Sequence, residues 1–227
     1  MTTLLTIALL LAVAIGPALF WMWYFYHKDR YEPEPLSWIV KIFLLGVLIV
    51  IPIAIGEGIA GIFFSEIVIF VIIGPMMEEF GKFYIVKRYV YQTSEFNEPV
   101  DGIIYAVAAA LGFATLENIF YIFSIPATEL GTLFWVVFLR AVLSVPGHAL
   151  WASIMGYSLG IAKFENPQDA PKIIITGLAG AIVFHGLFNY FLTDFLGFAL
   201  LVLIVIPFLW WLFHQNLRDA LNKSRFK

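Results

Sequence analysis

The chain has 227 residues, 62% of them hydrophobic, 18% aromatic and only 13% charged, with a formal net charge of −3 and a mean hydropathy of +0.92. Soluble domains carry about 25% charged residues, so this composition excludes a soluble domain of useful size and predicts one all-α, polytopic membrane domain over residues 1–227. No basic run suggests nucleic acid, and the lack of cysteine excludes disulfides, thiolate nucleophiles and cysteine metal ligands.

A lipid-spanning helix needs about 20 mainly apolar residues. The first candidate covers residues 3–24. It has no Lys or Arg in front and His27, Lys28 and Arg30 just behind. A cleaved signal peptide carries its positive charge in front, so this segment reads as an uncleaved anchor. Pro33 and Pro35 break the following loop, and a second helix is predicted over 36–55 with Gly56-Glu57-Gly58 as a turn. The third covers 65–89, with Pro75 expected to kink it one turn before Glu78. The fourth covers 100–123. The stretch 129–164 would make roughly 50 Å of helix against a hydrocarbon core of about 30 Å. Pro146-Gly147 is its expected break, giving segments at 131–144 and 147–163. The sixth and seventh helices are predicted at 172–192 and 198–216. The core of the domain is expected at 65–192, with 3–24, 36–55 and 198–216 peripheral.

Lys28, Arg30, Lys87, Arg88, Lys163, Lys172, Arg218, Lys223, Arg225 and Lys227 fall on one side of this arrangement, and the loops at 56–64, 124–131 and 193–197 hold no Lys or Arg. The positive-inside rule then predicts seven crossings, the N-terminus outside and the C-terminus cytoplasmic. Trp21, Trp23, Tyr24, Trp210 and Trp211 sit at helix ends, as an interfacial belt requires.

Charge inside such helices costs at least about 2.5–3.5 kcal/mol per residue on insertion scales, so it marks function or a partner. Glu78 and Lys82 are four apart and Glu79 is three from Lys82, so these groups meet on one helix. Glu117 and Asn118 interrupt an otherwise apolar helix, His148 follows the Pro146-Gly147 pair, and His185 and Asn189 share a face. At about 1.5 Å per residue, Glu78, Glu117, His148 and His185 lie roughly 14 to 24 Å from the basic ends of their helices. Four segments therefore deliver acids, imidazoles and an amide to one layer. Arg140 is expected either to pair with an acid or to snorkel outward.

HExxH is absent, and all five aspartates fall at helix ends or in loops. Gly156-Tyr157-Ser158-Leu159-Gly160 matches G-x-S-x-G, but a nucleophile elbow needs a strand–turn–helix context. The pair Gly156 and Gly160 reads better as a small-residue packing face. What remains is a glutamate that activates water, with Glu78 as base, Glu79 as its partner and Lys82 orienting the pair. His185 and Asn189 would stabilise an oxyanion, and His148 with Glu117 would complete the pocket. Glu78, Glu117, His148 and His185 are equally plausible zinc ligands, and spacing does not choose between the two mechanisms. A proton-coupled transporter, or a non-catalytic scaffold or immunity protein, would also bury such groups.

Glu78-Glu79-Phe80-Gly81-Lys82-Phe83, Asp101-Gly102-Ile103-Ile104-Tyr105, Gly112-Phe113-Ala114-Thr115-Leu116-Glu117-Asn118, Pro146-Gly147-His148 and His185-Gly186-Leu187-Phe188-Asn189 resemble, in this order, the motifs of the PrsW family of bacterial membrane proteases. That family is related to the CAAX-protease and bacteriocin-processing superfamily. Ala106 departs from the pattern, which would have glycine there. The resemblance implies a multi-pass protein of the bacterial cell membrane. It implies site-1 cleavage of a single-pass anti-sigma factor in a stress-response cascade. It also implies catalytic roles for Glu78, Glu79 and His185, with Glu117 and His148 supporting them. It leaves metal-dependent and glutamate-type mechanisms both open.

Overall fold

The computed structural model describes residues 2–126, 128–165 and 167–227. Positions 127 and 166, in the expected turns at 124–131 and 165–171, lie outside the described residues. Among the described residues seven long helical segments follow in order, with a short 3₁₀ turn at Pro167–Asp169 between the fifth and sixth. These are α1 (Thr2–Tyr26), α2 (Leu36–Ala60), α3 (66–89), α4 (Pro99–Ser124), α5 (Leu130–Phe164), α6 (Ala170–Phe191) and α7 (Phe195–Asn222). All but α3 are long and apolar enough to cross a membrane. No strand occurs among the described residues, as expected where backbone groups must be satisfied within each segment.

The axis of the bundle is α4, whose residues Pro99 to Thr115 are all buried. A helix apolar on every side has to be surrounded. Small residues let its neighbours approach backbone to backbone. A Cβ on Gly102 would stand 2.2 Å from the Gly156 carbonyl, and one on Gly160 would stand 2.1 Å from the Pro99 carbonyl. The Gly156/Gly160 face is thus a packing face. Ser158 between them donates to the Ile154 carbonyl at 3.0 Å, as an ordinary helix hydroxyl does. On the other flank, Gly46 of α2 meets the Ala109 carbonyl and Gly112 meets that of Phe43.

Two sequence expectations are corrected. The turn at 56–58 does not form, and α2 continues through both glycines to Ala60, which keeps its carbonyls bonded in a setting without water. Nor does α5 break at Pro146-Gly147. It runs unbroken from 130 to 164 and widens into a π-helical turn at Arg140–Ser144. The same device recurs at Ile69–Ile73 before Pro75 and at Leu201–Val205 before Pro207. A proline lacks an N–H and clashes with the carbonyl four residues back. A π turn moves that carbonyl aside and lets the helix continue.

Each π turn strands one carbonyl. In α3 the Gly74 amide bonds to Ile69, and Pro75 has no N–H to offer, so Phe70 loses its usual donor. Asn189 of α6 supplies one, its Nδ2 donating to the Phe70 carbonyl at 2.7 Å. In α5 the Val145 amide bonds to Arg140, and the Ala141 carbonyl receives the Trp21 indole N–H at 3.0 Å. The π turns of α3 and α5 are therefore sites where other helices lock on. Gly186 permits the first of these contacts, since a Cβ there would stand 2.5 Å from the Val71 carbonyl.

Candidate active site

The acids and imidazoles predicted to share a layer form one connected network, while Asn189 stands beside it on the Phe70 carbonyl. At its centre is the Lys82 ammonium, which donates to Glu79 Oε1 at 2.7 Å and to His148 Nδ1 at 2.9 Å, and lies 3.4 Å from Glu78 Oε2. His185 Nδ1 donates to Glu79 Oε1 at 2.8 Å and is 4.0 Å from Glu78 Oε2. With Nδ1 of His148 accepting from Lys82, its Nε2 carries the proton and donates to Glu117 Oε2 at 3.0 Å.

The two adjacent glutamates have different surroundings. Glu79 is fully buried, and its Oε1 also accepts the Trp151 indole N–H at 3.0 Å. Trp151 in turn stacks on His185 with ring centroids 4.5 Å apart. Glu78 keeps 11% of its side chain accessible and lines a cavity of about 570 Å³. Glu117, His148, His185 and Asn189 line the same cavity, while Phe113, Phe120 and Leu139 supply apolar wall. Lys82 and Glu79 stand behind Glu78, away from the space a substrate would occupy. Because Nδ1 of His185 is spent on Glu79, its Nε2 is the free nitrogen on that ring.

Asn118 bridges helices, donating to the Ala14 carbonyl at 3.1 Å and accepting from Arg140 Nε at 2.5 Å. Three participants were not among the predicted site residues. Trp151 lies three residues after His148 on one helix face, a signal visible in the spacing. Arg140 pairs with Glu117 at 2.8 Å, which resolves its two expected fates in favour of the ion pair. Glu57 lines the cavity from α2 and was hidden by the turn assigned to its flanking glycines.

A profile of the PrsW family intramembrane metalloproteases matches residues 34–212. The chain belongs to the PrsW family. Protease PrsW of Geobacillus kaustophilus is 34% identical over 219 residues, 95% of this chain and 94% of that protein. Protease PrsW of Bacillus subtilis is 34% identical over 89% of this chain and 91% of its own length. That of Clostridioides difficile is 35% identical over 95% and 93%. No solved structure matches the chain. PrsW membership makes the protein a peptidase and sets aside the transporter and scaffold readings.

The family description implies a metal, and the residues present can be tested against it. Glu78, Glu79, His148 and His185 each offer a ligand atom, all within 4.8 Å of one another. Two carboxylates and two imidazoles suit zinc. Glu79 Oε2 is buried without a hydrogen-bond partner, leaving a lone pair inside the cluster. The donor set fits at Glu78, Glu79 and the free Nε2 of His185, and His148 would join it on releasing Lys82 from Nδ1. It contains Glu79 where sequence spacing suggested Glu117, whose Oε2 is already engaged by Arg140 and His148. Lys82 contributes a positive charge among the same donors, so a metal there would share the acids with it.

Proposed function

We propose that this PrsW-family chain cleaves a single-pass membrane protein, an anti-sigma factor by family resemblance, using a water activated by Glu78. The observation that carries this reading is the asymmetry of the glutamate pair. Glu78 faces the cavity, while Glu79 is held behind it by Lys82, His185 and Trp151. A base must reach the proton it removes. Of the two adjacent glutamates Glu78 is the one with that access, and Lys82 fixes its position from the side; Glu117, also on the cavity, is held by Arg140 and His148.

Glu79 acts on His185. It accepts from Nδ1, fixes the ring and would stabilise an imidazolium. A proton on Nε2 would then face the cavity and could meet the oxyanion that develops as water adds to the peptide carbonyl. Asn189 lines the same wall, although its amide nitrogen already serves Phe70. Glu117 orients His148, and Arg140 balances its charge. Zinc held by this cluster would supply Lewis acidity and a water of pKa about 7, with Glu78 then a ligand in place of the base.

The cavity is lined by Glu57, Glu66, Tyr121 and Leu192, at the helix ends opposite Lys87, Lys163 and Lys172. With seven crossings and the basic ends in the cytoplasm of a bacterial cell membrane, it opens toward the outer half of the bilayer. This supports cleavage near the outer face of the substrate helix. The test is mass spectrometry of the products from a single-pass substrate co-reconstituted with the purified protein. A cut in the outer half or just outside it is expected. A cut on the cytoplasmic side would overturn the orientation, and no cut in any single-pass substrate would overturn the function. A parallel assay in chelator, with metal analysis of the purified protein, reports whether zinc belongs to the mechanism.

A further inference from the structure

A second group of acids lies at the opposite end of α4, and no step of the proteolysis uses it. Asp29, from the loop between α1 and α2, is 5% exposed, and Glu34, at the end of that loop, is 1% exposed. Asp101, in the first turn of α4, is fully buried. Each offers one carboxylate oxygen, and these three oxygens lie within 4.8 Å of one another. Neither oxygen of Asp29 has a hydrogen-bond partner, and the amides of Tyr31 and Glu32 face it without reaching hydrogen-bond geometry. Asp101 shows the division most clearly. Its Oδ2 caps α4, accepting from the Asn97 amide at 2.5 Å and the Glu98 amide at 2.7 Å, while its Oδ1 is unpartnered. Glu34 has one oxygen bonded to the Tyr105 hydroxyl, and its carboxyl also faces Asp101 closely enough for the two to share a proton when no cation is present.

Buried charges are paired or bind metal. Among the described residues none of these acids makes a salt bridge. Lys163, whose charge acts on Asp101, spends its ammonium on the carbonyls of Tyr91 and Phe96. We propose that Asp29, Glu34 and Asp101 bind a hard divalent cation that clamps the α1–α2 loop onto the N-terminal turn of α4. An all-oxygen, all-carboxylate set selects Mg²⁺ or Ca²⁺ over zinc. Oxygens on opposite sides of Ca²⁺ stand about 4.6–5.2 Å apart and those on Mg²⁺ about 4.0–4.2 Å, so three oxygens within 4.8 Å of one another can accommodate either ion. This site is separate from the catalytic cluster, since Asp101 and Glu117 are about 24 Å apart along α4.

The test uses the full-length protein in detergent, stripped with chelator and titrated separately with CaCl₂ and MgCl₂ at constant ionic strength. Calorimetry and the thermal midpoint are read together. The wild type should bind one ion saturably and rise in midpoint, and the ion that binds at lower concentration identifies the occupant. Glu78→Gln, which alters only the catalytic cluster, should behave as wild type. Asp29→Asn and Glu34→Gln, alone and combined, should weaken binding at least about tenfold. These near-isosteric changes remove repulsion and should leave the fold intact. Should the combined variant not fold, Mn²⁺ binding read by electron paramagnetic resonance in each single variant gives the same comparison. The proposal is overturned if neither ion binds the wild type, or if the Asp29 and Glu34 variants bind as tightly as wild type. It is also overturned if Glu78→Gln abolishes the binding. No arm reads proteolysis, so this inference and the proposed function fail independently.

Discussion

Glu78 and Glu79 are chemically alike and adjacent, and their surroundings give them different work. Glu78→Gln keeps shape and loses the base, so cleavage should fall by roughly 10²–10⁴ with little change in stability. Glu79→Gln removes the charge that holds Lys82 and His185, so it should lower both cleavage and the thermal midpoint. Trp151→Phe keeps the ring stacked against His185 and deletes one hydrogen bond to Glu79. It should lower stability by about 1.5–3 kcal/mol, the range for a bond to a charged group, read by unfolding in detergent. At the other end of the molecule, burial foremost and then Glu98 push the Asp29 carboxyl up to about 7, and burial foremost and then Asp101 push Glu34 up to about 10. In cation-free protein the folded state therefore holds protons that the unfolded chain has released. Stability should fall as pH rises, from Asp29 between its ordinary 3.8 and about 7 and from Glu34 between 4.5 and about 10. Thermal midpoints measured across pH 5 to pH 9 in chelator (about two units on either side of neutrality) check the sign.

Among the elements, the π turns link sequence to site. Proline was legible in the sequence as a disturbance, but not as a widened turn inside an unbroken helix. That choice depends on a donor arriving from another helix, which no local pattern contains. Asn189 is the case in point. Its spacing from His185 identified a shared face, yet its partner is the carbonyl that Pro75 leaves without a donor. Asn189→Ala should therefore cost about 1–3 kcal/mol by orphaning that carbonyl. Pro75→Ala restores an N–H five residues after Phe70. In a double-mutant cycle it should recover part of the Asn189→Ala loss, and strict additivity would contradict the account. The helix ends were less legible than the helices. Glycines that punctuate soluble chains did not end α2, because leaving carbonyls unbonded in lipid is the worse alternative.

At the scale of the whole molecule, hydropathy revealed the helical membrane architecture, and depth counting brought Glu78, Glu117, His148 and His185 into one layer. The small-residue pattern correctly marked Gly156 and Gly160 as packing positions. What counting along separate helices missed was rotation about each axis, and hence that Arg140 closes the network and that Glu57 lines the cavity. The packing reading makes its own forecast. Gly156→Ala would press a methyl against the Gly102 carbonyl and should destabilise by about 1–3 kcal/mol or more. Gly16→Ala, where nothing lies within 4 Å, should be neutral or slightly stabilising. The account as a whole rests on Glu78 being the group that activates water. The most direct measurement is cleavage of one single-pass substrate by purified wild type and Glu78→Gln, matched for thermal midpoint. The account predicts a loss of at least about a hundredfold. Cleavage by Glu78→Gln within a few-fold of wild type would contradict it.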